Sequence, residues 1–441
     1  MNRSNKIWWT GFTLVALIVL ISLSAPLQQY ASLPRELRMF SGQEKFLNLH
    51  IPVNAKVRID HPEVVKVNGQ SRPSFHLHLH DPIQLSSAAV GAAQVELKLF
   101  GAIPLKTVKV DVIPDLKVIP GGQTIGVKLK SDGALVVGHH QVLTANGEKI
   151  SPGEQAQIKR GDWITHMNGK RLTSIHQVAE MVESAGKKGE PVKLTILRGQ
   201  KKFQVQVKPV LDQKDQVYRM GLYIRDSAAG VGTLTFYAPD QGVYGALGHL
   251  ITDMDTQTPM TVASGEIVHS SVTSISKSRN GSPGEKRAQF FNNGKVLGNI
   301  EKNSEYGIFG KMTEYPGNSI SNEAMPVALA HEVKEGPAQI YTVIEGQKVE
   351  KFDIEIVHVA RQDKPSTKGM VIKIVDPRLL ERTGGIVQGM SGSPIIQDGK
   401  IVGAVTHVFV NDPASGYGCF IEWMLQESGV LLRPQEKMNA S

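Results

Sequence analysis

Gly389-Met390-Ser391-Gly392-Ser393-Pro394 runs directly into Ile395-Ile396-Gln397-Asp398-Gly399-Lys400-Ile401-Val402-Gly403-Ala404-Val405. Glycines on both sides of Ser391 permit the unusual dihedrals of a tight turn. The proline leads into an apolar strand, Asp398-Gly399 turns it, and a second apolar strand returns. A nucleophilic serine needs its hydroxyl on such a turn, with backbone N–H groups beside it aimed at the oxyanion that develops during attack on a carbonyl. The competing reading is a Gly/Ser turn in an ordinary hairpin, and the pair of apolar strands after the turn favours the nucleophile.

A serine hydroxyl is a poor nucleophile until a base takes its proton. Among 14 histidines, His249 in Tyr244-Gly245-Ala246-Leu247-Gly248-His249-Leu250-Ile251-Thr252-Asp253 stands out, because it follows a strand-like run and sits in a glycine-rich turn. His269, His331, His358 and His407 are its rivals. A third group must hold the imidazole in the right tautomer. Asp376, ending the apolar run Val371-Ile372-Lys373-Ile374-Val375, is the first candidate. Asp253, Asp255 and Asp363 are alternatives, and Asp253, four residues from His249, reads equally well as a local turn acid. The segment around Ser391 resembles the Gly-x-Ser-Gly-Gly-Pro stretch of trypsin-like and HtrA proteases, which implies a β-barrel serine protease domain over residues 221–435 and an oxyanion hole made by the N–H groups of Gly389 and Ser391. The composition of that region agrees: short strands, glycine-rich turns, and no cysteine pair, as in a closed or double barrel. Ser276–Lys286 reads as an exposed loop and Asn292-Asn293-Gly294-Lys295 as a hairpin turn.

Upstream, residues 115–211 carry Ile158-Lys159-Arg160-Gly161-Asp162-Trp163-Ile164-Thr165-His166-Met167-Asn168-Gly169, a helical stretch from Ile175 to Val182, and the strand Val192–Arg198. This order resembles a PDZ domain, a module that adds a peptide strand to a sheet edge and holds its terminal carboxylate on backbone amides. The resemblance implies a carboxylate loop of Gly122, Gln123, Thr124, Ile125, Gly126 and Val127. The alternative is a PDZ fold that only packs against its neighbour. Residues 26–114 alternate in short runs such as Lys56-Val57-Arg58-Ile59-Asp60, which predicts a small β-rich module. Its His76, His78 and His80 share one strand face, read as solvated rather than as a metal site.

Arg3 and Lys6 precede an uncharged apolar run, Ile7–Leu23, long enough to cross ~30 Å of hydrocarbon as a helix. Positive residues before it predict export of the chain beyond residue 25. Residues 1–25 are therefore a signal-anchor or, with the small residues Ser22–Ala25, a removed signal peptide. The chain of 441 residues is then mainly β, in three further modules. The net charge of 49 − 41 = +8 is scattered, without a basic stripe, which argues against nucleic acid and suits an anionic membrane surface. A single cysteine, Cys419, excludes internal disulfides and any multi-thiolate metal centre, and its apolar neighbours predict a buried strand. No metal or other cofactor is called for.

Together, the N-terminal apolar segment, the PDZ signature, Gly248-His249-Leu250-Ile251-Thr252-Asp253 and the Ser391 turn resemble stage IV sporulation protein B, the SpoIVB serine peptidase family of endospore formers. So do Gly298–Asn303 and Gly307–Gly310. The resemblance implies a His249, Asp376, Ser391 triad. It also implies an exported, self-cleaving signalling protease in the space between forespore and mother cell. Its target would be a regulatory subunit of the SpoIVF complex in the neighbouring membrane, whose cleavage triggers late sigma-factor activation. Two alternatives share parts of this pattern: a non-catalytic PDZ scaffold of the envelope, and an HtrA-like quality-control protease.

Overall fold

The computed structural model describes Phe12 and residues 33–47, 53–290, 296–362 and 365–431. Apart from Phe12, the apolar run Ile7–Leu23 lies outside the described residues, as does the expected turn at residues 292–295. No helix among the described residues is long and apolar enough to cross a membrane. The chain divides into one compact unit ending at Leu116 and a second spanning Lys117–Leu431.

The first unit is a five-stranded and a three-stranded sheet. In the strand Asn54–Ile59, Ala55, Val57 and Ile59 are buried while the residues between them are exposed, the period-two pattern read from the sequence. His76 and His78 lie on the exposed face of Ser74–His78.

The second unit is built on one long strand, Thr124–His139, paired along its length with Leu222–Ala238. Its C-terminal half joins a PDZ-like module. There the helix Ile175–Lys188 starts on Ser174, whose hydroxyl accepts the His176 N–H, and ends on Gly189 at φ 68°. Val178, Val182 and Ala185 pack this helix on Ile164, Met167, Leu194 and Ile196. The Gly161-Asp162 signature has a local cause. Asp162 accepts from the Lys159 N–H and from two nitrogens of Arg198, tying the strand start to the strand Val192–Arg198. Asn168 and Gly169, at φ 50° and 80°, make the two-residue turn that this pair favours.

The N-terminal half of the long strand overturns the expected carboxylate loop. Gly122, Gln123, Thr124, Ile125, Gly126 and Val127 are all buried. A Cβ on Gly122 would lie 2.6 Å from Val349 Cγ1, and the Gln123 carboxamide donates to Tyr315 and to the Gly317 carbonyl. Both strand edges are also filled: Ile125–Lys130 pairs with Ser264–His269 on one side and with Ser227–Gly232 on the other. These residues form a wall of the peptidase sheet, so a peptide has no edge to join there. The strand pair Thr124–His139 with Leu222–Ala238 is shared by both modules.

Downstream, six strands close a barrel in the order Gly336–Val343, Val349–Val359, Met370–Ile374, Asp412–Phe420, Lys400–Phe409 and Pro394–Gln397. Ile340, Phe352, Ile354, Ile372, Ile395 and Phe420 fill it. One barrel closes. The preceding half belongs to an open fourteen-stranded sheet that continues from the PDZ strands. Cys419 is buried in the barrel wall, and burial pushes its thiol up to about 12, so it is an inert core residue.

Candidate active site

The closed barrel delivers the Gln388–Ser393 turn. Gly389 and Gly392 sit at φ 91° and 94°, and a Cβ on Gly392 would lie 2.1 Å from the Thr233 carbonyl oxygen. Only glycine fits there. Every carbonyl from Gln388 to Gly392 is held. Gln388 O accepts from the Lys286 N–H at 2.9 Å, Gly389 O from Thr233 Oγ1 at 2.7 Å, and Met390 O from the Ser393 N–H at 2.9 Å. Ser391 O accepts from the Thr233 N–H at 3.1 Å and Gly392 O from Thr235 Oγ1 at 2.7 Å.

A trans peptide is planar with its C=O and N–H opposed. Anchoring Gln388 O and Met390 O inward therefore turns the Gly389 and Ser391 N–H groups the other way. Among the described residues these two N–H groups donate to nothing. Both residues line a cleft of about 1040 Å³.

His249 enters the same cleft from the open sheet. It follows Leu247 and Gly248, both at φ 70°, and a leucine in this left-handed region costs about 1–2 kcal/mol. Packing holds the strain in place. The Leu247 N–H donates to Thr233 O, and a Cβ on Gly248 would sit 3.1 Å from Thr406 Cγ2. The His249 Nδ1 lies 3.0 Å from the Leu250 carbonyl oxygen. A carbonyl only accepts, so Nδ1 carries the proton and Nε2 is bare, the tautomer a general base needs. Burial pushes the imidazole below its ordinary range, partly offset by that hydrogen bond.

Ser391 Oγ donates to Thr406 O at 2.8 Å. His407, named in the sequence only as a rival, joins the cleft as well, its ring centroid 5.4 Å from that of His249. Burial, then the charges of His249 and Lys368, lower its pKa. Of the other rivals, His269 sits opposite Ile125 in the sheet and His358 pairs with Glu335 at 3.2 Å. His331 lies in the short 3-10 turn Ala330–Glu332.

Asp376 is not brought to the imidazole. It caps the helix Pro377–Thr383, accepting from the N–H groups of Arg378 and Leu379, from the Asp353 N–H at 3.3 Å, and from Arg378 Nη2 at 3.1 Å. Burial would raise its pKa. The hydrogen bonds from Arg378 and the three amides outweigh burial and hold it below the usual carboxylate range. With these donors in place it has nothing left to orient, and it is not among the residues lining the cleft. Asp followed by Pro at a helix start is itself a capping signature, and that signal was legible in the sequence.

Asp253 is the local turn acid of the alternative reading. It accepts from the N–H groups of Asp255 and Thr256 and pairs with Arg225. Asp255 shares that arginine at 2.9 Å. Asp363 lies outside the described residues.

The family model "SpoIVB peptidase S55" matches residues 216–425, and a PDZ-domain model matches residues 124–208. The resemblance drawn from the sequence stands in these two regions, which match a serine peptidase family and a PDZ domain. Among solved structures, the PDZ domain of the SdrC-like protein from Listeria monocytogenes is 22% identical and covers 21% of this chain and 87% of that one, with a TM-score of 0.17. The Rv3671c protease from M. tuberculosis, in its active form, is 14% identical and covers 46% and 75%, with a TM-score of 0.28. Overlaps this low carry no argument, and the chemistry rests on the geometry of the site itself.

Proposed function

We propose that the chain is a serine endopeptidase in which Ser391 is the nucleophile and His249 the general base. The observation that carries this reading is the pair of undonated N–H groups at Gly389 and Ser391, facing the cleft that also holds a half-buried, Nδ1-protonated His249. In the reaction Ser391 Oγ leaves its hydrogen bond to Thr406 O and passes its proton to His249 Nε2 as it bonds to the scissile carbonyl carbon. The oxyanion that forms is held by the two N–H groups. The imidazolium then protonates the leaving amine, and water releases the acyl group by the same steps.

The Leu250 carbonyl holds the tautomer in this conformation. A triad role for Asp376 requires it to leave its helix cap.

The substrate reads as an extended polypeptide. Thr233 turns both its N–H and its C=O away from the long strand, to Ser391 O and the Leu247 N–H. By the two-residue period of a strand, Val231, Ala229 and Ser227 turn theirs to the same side, where no described strand pairs with them. That open edge, with its small side chains, lines the cleft beside Ser391. A peptide added to it is led to the nucleophile.

The finer biology comes from the family resemblance: export to the forespore intermembrane space, self-cleavage, and cleavage of a SpoIVF-complex subunit. Occupied edges on Ile125–Lys130 disfavour the alternative of a scaffold that captures peptides at its PDZ loop. The test is labelling of the full chain by a fluorophosphonate. Wild type labels and Ser391→Ala does not; equal labelling of both removes the assignment.

A further inference from the structure

Lys286, second in the strand Glu285–Phe290, is 1% exposed, although the sequence around it reads as a solvated loop. Its main-chain N–H holds Gln388 O, the carbonyl whose anchoring turns the Gly389 N–H into the cleft. Its side chain runs under the same turn: a Cβ on Gly389 would lie 3.1 Å from Lys286 Cβ and 3.4 Å from Cδ. Nζ, two bonds beyond Cδ, donates to Thr342 Oγ1 at 2.7 Å in the closed barrel. Its strand neighbours Glu285 and Arg287 are exposed on the opposite face. Among the described residues no carboxylate or second cation acts on it from the turn, from Gly336–Val343 or from Ser264–Ser276, and the titratable groups lining the cleft across the turn are His249, His407, Arg225, Asp253, Asp255 and Glu305. A lysine this deep without a counter-ion costs stability, so a purely structural role is a poor account of it.

We propose that Lys286 is a positioning residue for the oxyanion site, its buried ammonium lending positive potential to the Gln388–Gly389 peptide that it also clamps. In a water-excluded site an uncompensated charge acts strongly on charge developing nearby. The proposal rests on Ser391 as nucleophile.

Burial lowers the ammonium to about 7, so the cation is present below that pH and lost above it. His249 titrates lower, because burial pushes its own pKa below the ordinary histidine value. The two titrations therefore separate.

The experiment measures the fluorophosphonate labelling rate of the full chain between pH 6 and pH 9, with melting temperature followed in parallel. Lys286→Met keeps the volume and removes the charge. It is expected to label about tenfold more slowly than wild type at pH 6, to match it at pH 9, and to melt at the same temperature or higher. Thr342→Val keeps the lysine but removes its hydrogen-bond partner, which moves the point where wild type loses rate to lower pH. A wild-type to Lys286→Met ratio that is constant across pH, or equal to one at pH 6, overturns the proposal. If Lys286→Met does not fold, Thr342→Val decides, and an unmoved profile overturns it. Wild type that fails to label at any pH sinks the Ser391 reading instead.

Discussion

Two turns, each beside a strand of the same barrel, carry residues that the sequence offers for a catalytic site, and their hydrogen bonds separate them. At Gln388–Ser393 all five carbonyls from Gln388 to Gly392 are occupied, and two N–H groups are left over, pointing into a cleft. At Asp376–Leu379 the carboxylate is surrounded by three amides and a guanidinium, and nothing is left over. An unfilled donor beside a nucleophile can act on charge that forms during a reaction, whereas a saturated acceptor has already spent its interactions on the fold. Side-chain type alone does not distinguish the two.

Changes at the first turn should be the most damaging to activity. Ser391→Ala and His249→Ala are each expected to lower cleavage or probe labelling by about 10³-fold or more with the melting temperature intact. On the acid side, wild-type rate should fall as pH drops through a His249 pKa below the usual histidine range, since the base must be neutral; an acid-side midpoint above 6.5 contradicts its burial.

Gly392→Ala puts a methyl against the Thr233 carbonyl at positive φ. It should cost about 2–3 kcal/mol and lose labelling, measured by denaturant melts and probe. At the second turn, Asp376→Ala should cost about 1–2 kcal/mol as a lost cap, while the folded fraction keeps labelling. If a well-folded Asp376→Asn lost several orders of magnitude in rate, the contrast between the turns would break, because the carboxylate would then reach His249 in another conformer.

The smallest effect expected is that of Ala229→Pro. It removes one N–H from the open strand edge and none from the pairing with the long strand, so kcat/KM for a peptide should fall about 3–10-fold at unchanged probe labelling.

Much of this was legible because it is local. Asn168-Gly169, Gly161-Asp162 and the glycines around Ser391 each have a cause within a few residues: a positive φ, a nearby amide, a close approach. The capping role of Asp376 is legible as well, in the Asp-Pro pair at the helix start. Lys286 carried a weaker signal, because it shares strand parity with the half-buried Ala288 and Phe290 rather than with the exposed Glu285 and Arg287.

The sequence by itself determined the turn that carries Ser391, the turn that carries His249, the PDZ signature and the β character of the chain, since short-range dihedral and periodicity rules act on neighbouring residues. Only the tertiary structure decided that both edges of Ile125–Lys130 are filled, that His407 stands beside His249, and that a lysine lies under the nucleophile turn. Those outcomes depend on strands roughly a hundred residues apart finding one another. Which distant carbonyl an N–H meets is settled by the packing of whole sheets and is not written in any short stretch of chain.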